Sequence, residues 1–252
     1  MASNPPGKCC TVGVKHEGAP TGKFIKVGGK HDGYLATPAP EKAHKDAAIL
    51  YIPDIFSIWQ NSQLLADQYA ANGYLCLIVD PFNGDKFPEP RPEGFDIMKW
   101  FQEGTNGDSP HTPATVDPIV VAGIKTLKEE YGAKKIGSVG YCFGAKYLVR
   151  HYKDGIDVGF VAHPSFVGED ELAAITGPLS IAAAEIDDIF PNEKRYKSEE
   201  ILKNTGLPYQ INLYSGVEHG FSVRCDLSKK HQRFAKEQAF YQAVAWFDNW
   251  LL

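Results

Sequence analysis

The segment Ile136-Gly137-Ser138-Val139-Gly140-Tyr141-Cys142-Phe143-Gly144 joins an apolar run to an amphipathic one and carries a thiol between two glycines. Gly140-x-Cys142-x-Gly144 is the cysteine form of a nucleophile elbow. A nucleophile on so sharp a turn has strained backbone angles. Side chains two residues to either side would strike neighbouring elements, so glycine stands there. The turn also sets the sulfur at the start of a helix, where free N–H groups favour a thiolate and can hold an oxyanion. Cys142 is therefore the expected nucleophile. Cys76 lies inside an apolar run and is expected in the core, while Cys9, Cys10 and Cys225 sit in polar surroundings and are expected at the surface.

A thiol nucleophile needs a base, and the base needs an orienting partner. In elbow enzymes the chain order is nucleophile, acid, histidine. His163 and His219 both follow strand-like runs downstream of Cys142, and only His219 has a strand-end carboxylate between itself and the cysteine. That acid lies in Glu185-Ile186-Asp187-Asp188-Ile189-Phe190-Pro191, where Asp187 is preferred, with Asp188 and Glu185 as alternatives.

Repeated alternation of strand and helix must position these groups. Strands are expected over 23–27, 33–37, 47–52, 74–79, 135–139, 157–162, 179–184 and 209–213. Helices are expected over 60–72, 116–131, 144–152, 193–204 and 229–251. This pattern predicts an α/β fold with a mostly parallel central sheet and helices on both faces, with ligands bound beyond the carboxyl ends of the strands. The Pro- and Gly-rich stretch 83–116 is long for a connection and is expected to form a lid or pocket wall with one short helix. Residues 1–252 are expected to form one domain, with 1–20 as a peripheral segment. Trp59, Phe82 and Trp100 could line an apolar pocket, and Tyr141 and His163 are pocket candidates for which packing is an equal alternative.

The chain has 252 residues, 43% of them hydrophobic and 23% charged, with a formal charge of −5. Such a balance gives no electrostatic reason to expect nucleic acid or an anionic membrane as partner. No window approaches a membrane span, and Met1 to Thr11 lacks the features of a secretory signal. Five cysteines without scaffold spacing point to a reduced, cytoplasmic setting, with no metal or cofactor expected.

Taken together, the motifs resemble the dienelactone hydrolase family, within the α/β-hydrolase superfamily and in its fungal and plant branches, from Gly22 to the C-terminal helix. Gly140-Tyr141-Cys142-Phe143-Gly144 is similar to the family's nucleophile motif, Asp187 to Pro191 to its acid loop, and His219-Gly220-Phe221 to its histidine motif. The resemblance implies a Cys142-Asp187-His219 triad, an oxyanion hole from the N–H groups of Phe143 and Ile55, and no cofactor. It implies a small ester or lactone as substrate and a monomer or weak homodimer. Asp54 stands where the family commonly has a glutamate that contacts the resting cysteine and gates its activation, and is one methylene shorter. Of the arginines with which bacterial members hold a substrate carboxylate, one position, near Gly84, has none here, and Arg224 is one residue displaced from the other.

Two rival classes are a non-catalytic accessory protein on the same fold and an enzyme of other chemistry. The latter would be a thiol-dependent isomerase or a glycan-cleaving relative using Asp54 and Asp187 as its carboxylate pair.

Overall fold

In the computed structural model, which describes residues 1–88 and 91–252, eight strands form one sheet. They are β1 (Lys23–Val27), β2 (His31–Ala36), β3 (Ala47–Ile52), β4 (Leu75–Val79), β5 (Lys135–Tyr141), β6 (Val158–Ala162), β7 (Leu179–Ile186) and β8 (Tyr209–Glu218). Their spatial order is β1-β2-β4-β3-β5-β6-β7-β8. The β1–β2 hairpin and the β2–β4 pair are antiparallel, and every pairing from β4 to β8 is parallel.

The apolar run Ala47–Ile52 is buried at every position because both faces of β3 are covered. Ala48, Leu50 and Ile52 join one core layer, and Ala47, Ile49 and Tyr51 the other. The second layer is closed by α1 (Gln60–Ala71) and α8 (Lys230–Trp250), through Leu65, Tyr69 and Phe247. On the first face α3 (Pro113–Lys125) and α4 (Gly144–Arg150) contribute Ile119, Val120 and Leu148. Proline at the first turn and a Thr112–Thr115 capping box start α3.

The chain leaves β3 through α1 to β4 on one side and returns to place β5 on the other. The strand order therefore reverses between β3 and β5, and a crevice opens beyond their carboxyl ends. Asp54 and Ile55 follow β3 there, and Cys142 follows β5.

Several elements differ from expectation. The helix expected from 116 begins at Pro113, and its last turn, Thr126–Glu130, widens into a π-turn. The last strand runs on to Glu218, with a register irregularity opposite Ala184 and Ile186. Between 83 and 116 lies one short helix, α2 (Ile97–Glu103), capped by Asp96. Glu89 and Pro90, part of that expected lid, lie outside the described residues. The short helices α5 (Glu169–Ala173) and α7 (Phe221–Arg224) have too few turns to show periodicity, and α6 (Asn192–Thr205) matches its expectation closely. Residues 1–20, expected at the periphery, contribute Ala2, Ser3, Cys10 and His16 to the buried set. Among the described residues no helix is long and apolar enough to cross a membrane.

Gly144 fixes how α4 meets the sheet. A Cβ there would lie 2.0 Å from the carbonyl oxygen of Ile52 at the end of β3. Gly144→Ala is expected to cost at least about 3 kcal/mol, since backbone, not a flexible side chain, must move. Urea unfolding checks this, and an unchanged midpoint would contradict the contact.

Candidate active site

Cys142 sits at φ +51°, in the left-handed region that only a turn enforced by its surroundings maintains. A Cβ at Gly140 would meet Ala145 and the Gly144 carbonyl at 2.8 Å, so both glycines of the elbow are sterically required. The Cys142 N–H donates to Ala162 O at 3.2 Å, and its carbonyl accepts from Ser165 N–H at 3.1 Å. The next N–H, that of Phe143, opens the helix. Across the crevice, Phe56 N–H donates to Asp54 Oδ1 and Ser57 N–H to Asp54 O, each at 3.0 Å.

His219 follows β8 directly, and its Nδ1 lies 2.9 Å from Asp187 Oδ2 and 3.1 Å from Oδ1. Asp187 is itself fixed by the N–H groups of Ile189 and Phe190, at 2.8 and 3.1 Å, in a turn that follows β7. Asp188 is exposed, and exposed Glu185 accepts from Gly216 N–H at 2.7 Å. Of the three acidic alternatives, Asp187 is the one that meets the histidine.

Nε2 of His219 is buried without a protein partner among the described residues. A His219 ring nitrogen and the sulfurs of Cys142 and Cys10 all lie within 4.8 Å of one another. Burial opposes ionisation of the Cys142 thiol, but the Cys10 hydrogen bond, His219 and Arg224 outweigh it and hold the thiol well below its ordinary range. Burial likewise opposes charge on His219, yet Cys142 and Asp187 raise it to about 10. Both shifts favour the thiolate–imidazolium form of the pair. Two thiols and an imidazole with a carboxylate behind it also suit a thiophilic ion. Such an ion would occupy both nucleophile and base, so its binding and acyl transfer are mutually exclusive.

Asp54, 1% exposed, pairs with Arg224, 2% exposed, and neither touches solvent. Burial pushes the Asp54 carboxyl up to about 6 against the pull of Arg224, and Cys142 adds to the rise. The thiol that the resemblance would pair with Asp54 instead contacts Cys10 Sγ at 3.5 Å and Ser165 Oγ at 3.6 Å. Arg224 is clamped between Gly13 and Gly220, where a Cβ would meet it at 2.5 and 2.4 Å. Its Nε donates to Val12 O, and its Nη2 is buried with no protein partner among the described residues.

His163 is buried beside His219, with ring centroids 5.0 Å apart, and its Nε2 meets Ser222 Oγ at 2.7 Å. Burial, then His219 and Arg224, keep it neutral. Tyr141 is taken up by the core under α1, its hydroxyl 2.9 Å from that of Tyr69, which corrects its candidacy as a pocket residue. Trp59 is half-buried and stacks on Phe56, whose ring lies under the Arg224 guanidinium. Phe82 and Trp100 are fully packed, and with Phe101 they carry the 83–116 stretch against Phe143. Cys10, expected at the surface, is fully buried against Cys142. Sequence reasoning missed it because the contact spans 132 residues and no local pattern marks it, and it also missed Ser165, 23 residues from Cys142.

The segment before β1 lies across this site. Ser3 and Asn4 N–H groups donate to Val167 O and Ile189 O, Val14 N–H to Arg224 O, and Asn61 binds Val14 and His16. A cavity of about 260 Å³ remains between residues 9–14 and 218–225 and reaches His219 and Arg224.

The sequence profile of the dienelactone hydrolase family matches residues 31–251. The chain is 49% identical over 253 residues to the hydrolase pyvD of Aspergillus violaceofuscus, covering 100% of this chain and 99% of that one. It is 47% identical over 258 residues to the hydrolase tropI of Talaromyces stipitatus, with 100% and 99% covered. A putative dienelactone hydrolase from Klebsiella pneumoniae superposes with a TM-score of 0.72 at 16% identity, over 92% of this chain and 100% of that one, a likeness of fold alone.

The charge arrangement is open to titration. Far-ultraviolet thiolate absorbance, taken as the difference between the native protein and Cys142→Ala, is expected to be present at neutral pH and to fade only on the acid side. In His219→Gln burial prevails, and the midpoint is expected to move upward past the ordinary thiol value of about 8.5.

Proposed function

Because the chain belongs to the dienelactone hydrolase family and is a hydrolase of carboxylic esters or lactones, we propose that Cys142, His219 and Asp187 are its catalytic triad. One observation carries the assignment. His219 is tied through Nδ1 to Asp187 while a ring nitrogen lies within 4.8 Å of the Cys142 sulfur, all three being buried at the switch point of the sheet.

The Cys142 thiolate attacks the carbonyl carbon, and the negative charge passes to the carbonyl oxygen. The N–H groups of Phe143 and Ile55 receive that oxyanion, each donor contributing about 3–4 kcal/mol in comparable acyl chemistry. Collapse of the tetrahedral adduct expels the alkoxide, which takes its proton from His219, now neutral. In a lactone the leaving oxygen stays attached to the acyl chain. His219 then removes a proton from water, which attacks the thioester and restores the thiolate and imidazolium. Asp187 holds the ring in the required orientation throughout and stabilises its charged form.

Arg224 offers a buried, unshared N–H at the edge of the cavity, which supports an ester or lactone with an anionic group close to its reacting carbonyl. The small volume supports a compact substrate. His163, neutral and hydrogen-bonded to Ser222, serves as a wall behind His219, and Asp54 acts on Cys142 through Arg224. A glycan-cleaving role finds no support, because Asp54 and Asp187 are each engaged by a basic side chain. Five unpaired cysteines support a reducing, cytoplasmic setting.

Activity on p-nitrophenyl acetate and a panel of small lactones tests the assignment. Cys142→Ala is expected to lower kcat/KM at least about a thousandfold, and intact-protein mass of the native enzyme should show an acyl adduct that Cys142→Ala lacks. Full activity in that variant would overturn the assignment.

A further inference from the structure

Cys10 is fully buried, 3.5 Å sulfur to sulfur from Cys142, and lies in the short helical turn Lys8–Thr11 that crosses the site. The triad chemistry makes no use of a second thiol. Its neighbour Cys9 is half-buried and faces the cavity beside His219. We propose that Cys10 is the resolving thiol for Cys142, so that peroxides close a reversible Cys10–Cys142 disulfide that switches the enzyme off and spares the nucleophile from irreversible oxidation. The proposal rests on reading Cys142 as the nucleophile.

A disulfide needs a sulfur separation of about 2.05 Å, so the two sulfurs must approach by about 1.5 Å. Cys10 is carried by a single turn at the edge of the fold, not by the sheet, so this approach does not require a strand to move.

In the first step the Cys142 thiolate attacks one peroxide oxygen, the O–O bond breaks, and sulfenic acid and hydroxide (or alkoxide) form. The sulfur is oxidised and the peroxide reduced by two electrons. In the second, the Cys10 sulfur attacks the sulfenic sulfur, an S–S bond forms, and the Cys10 proton leaves with the hydroxyl as water. The bridge ties the residue 8–11 turn to the elbow and removes the thiolate. A dithiol reverses it by exchange, and a cavity lined by Cys9 and His219 lies beside the pair.

The test treats the reduced enzyme with about five molar equivalents of hydrogen peroxide, enough to supply every oxygen of the oxidation ladder, and reads three signals. Intact mass should show the loss of two hydrogens with no added oxygen, and non-reducing peptide mapping should join the peptides of Cys10 and Cys142. Hydrolysis of p-nitrophenyl acetate should fall in proportion to the bridged fraction and return with dithiothreitol. In Cys10→Ser the same treatment should add two or three oxygens to Cys142, and the loss should resist dithiothreitol, while Cys9→Ser should behave as the native enzyme. A bridge between Cys9 and Cys10, or overoxidation of Cys142 in the native enzyme at the rate seen in Cys10→Ser, would overturn the proposal. If Cys10→Ser does not fold, the peptide map of the native enzyme decides. A mapped Cys10–Cys142 bridge in an enzyme whose activity survives Cys142→Ala would overturn the triad and the switch but leave the bridge.

Discussion

Burying Cys142 as a thiolate obliges the protein to supply a cation beside it, and nearly every contact at the end of the sheet follows from that requirement. His219 is the cation, and a buried imidazolium in turn needs Asp187. Arg224 adds a second positive charge to the thiolate's surroundings and needs Asp54 to be tolerated at 2% exposure. Three acidic groups thus face two basic ones with almost no water between them. Burial pushes the Asp54 carboxyl up to about 6, with the nearby Cys142 adding to the rise and Arg224 opposing it. Deleting any member would strand a charge worth several kcal/mol. That makes the set a single unit, not five separate residues.

The backbone meets the same demand by placing each group on a stiff support. β3 and β5 diverge at the switch point, the elbow turns Cys142 into the gap, and the Asp187 turn is closed by two of its own N–H groups. Much of this was legible in the chain because it is locally encoded. The elbow glycines are needed within a few residues of the thiol, and the strands read as short apolar runs because both faces are covered. The acid could be narrowed to three carboxylates from chain order alone. Spacing to Pro191 already favoured Asp187, and the structure adds that Asp188 is exposed while Asp187 meets His219.

What escaped the sequence shares one physical character: it depends on contacts between distant parts of the chain. Cys10 stands among polar residues and looks exposed until the residue 8–11 turn is laid on the elbow. Arg224 reads as a displaced anion binder, and its pairing with Asp54 spans 170 residues. Tyr141 lies next to the nucleophile in sequence and so seemed part of the pocket. Alternation along a strand sends its ring to the opposite layer, where Tyr51 and Tyr69 receive it. Short helices such as Phe221–Arg224 carry no periodic signature, yet that one supplies both the arginine and a hydroxyl for His163.

The segment preceding β1 has a significance apart from its thiols. The family profile begins at residue 31, so this segment and β1 lie outside it, while β2 to β8, the elbow and His219 lie within it, and the relatives pyvD and tropI match over the whole chain. A segment outside the profile thus holds Arg224, through the carbonyl of Val12 and the close approach of Gly13, and so helps to set the charge beside Cys142.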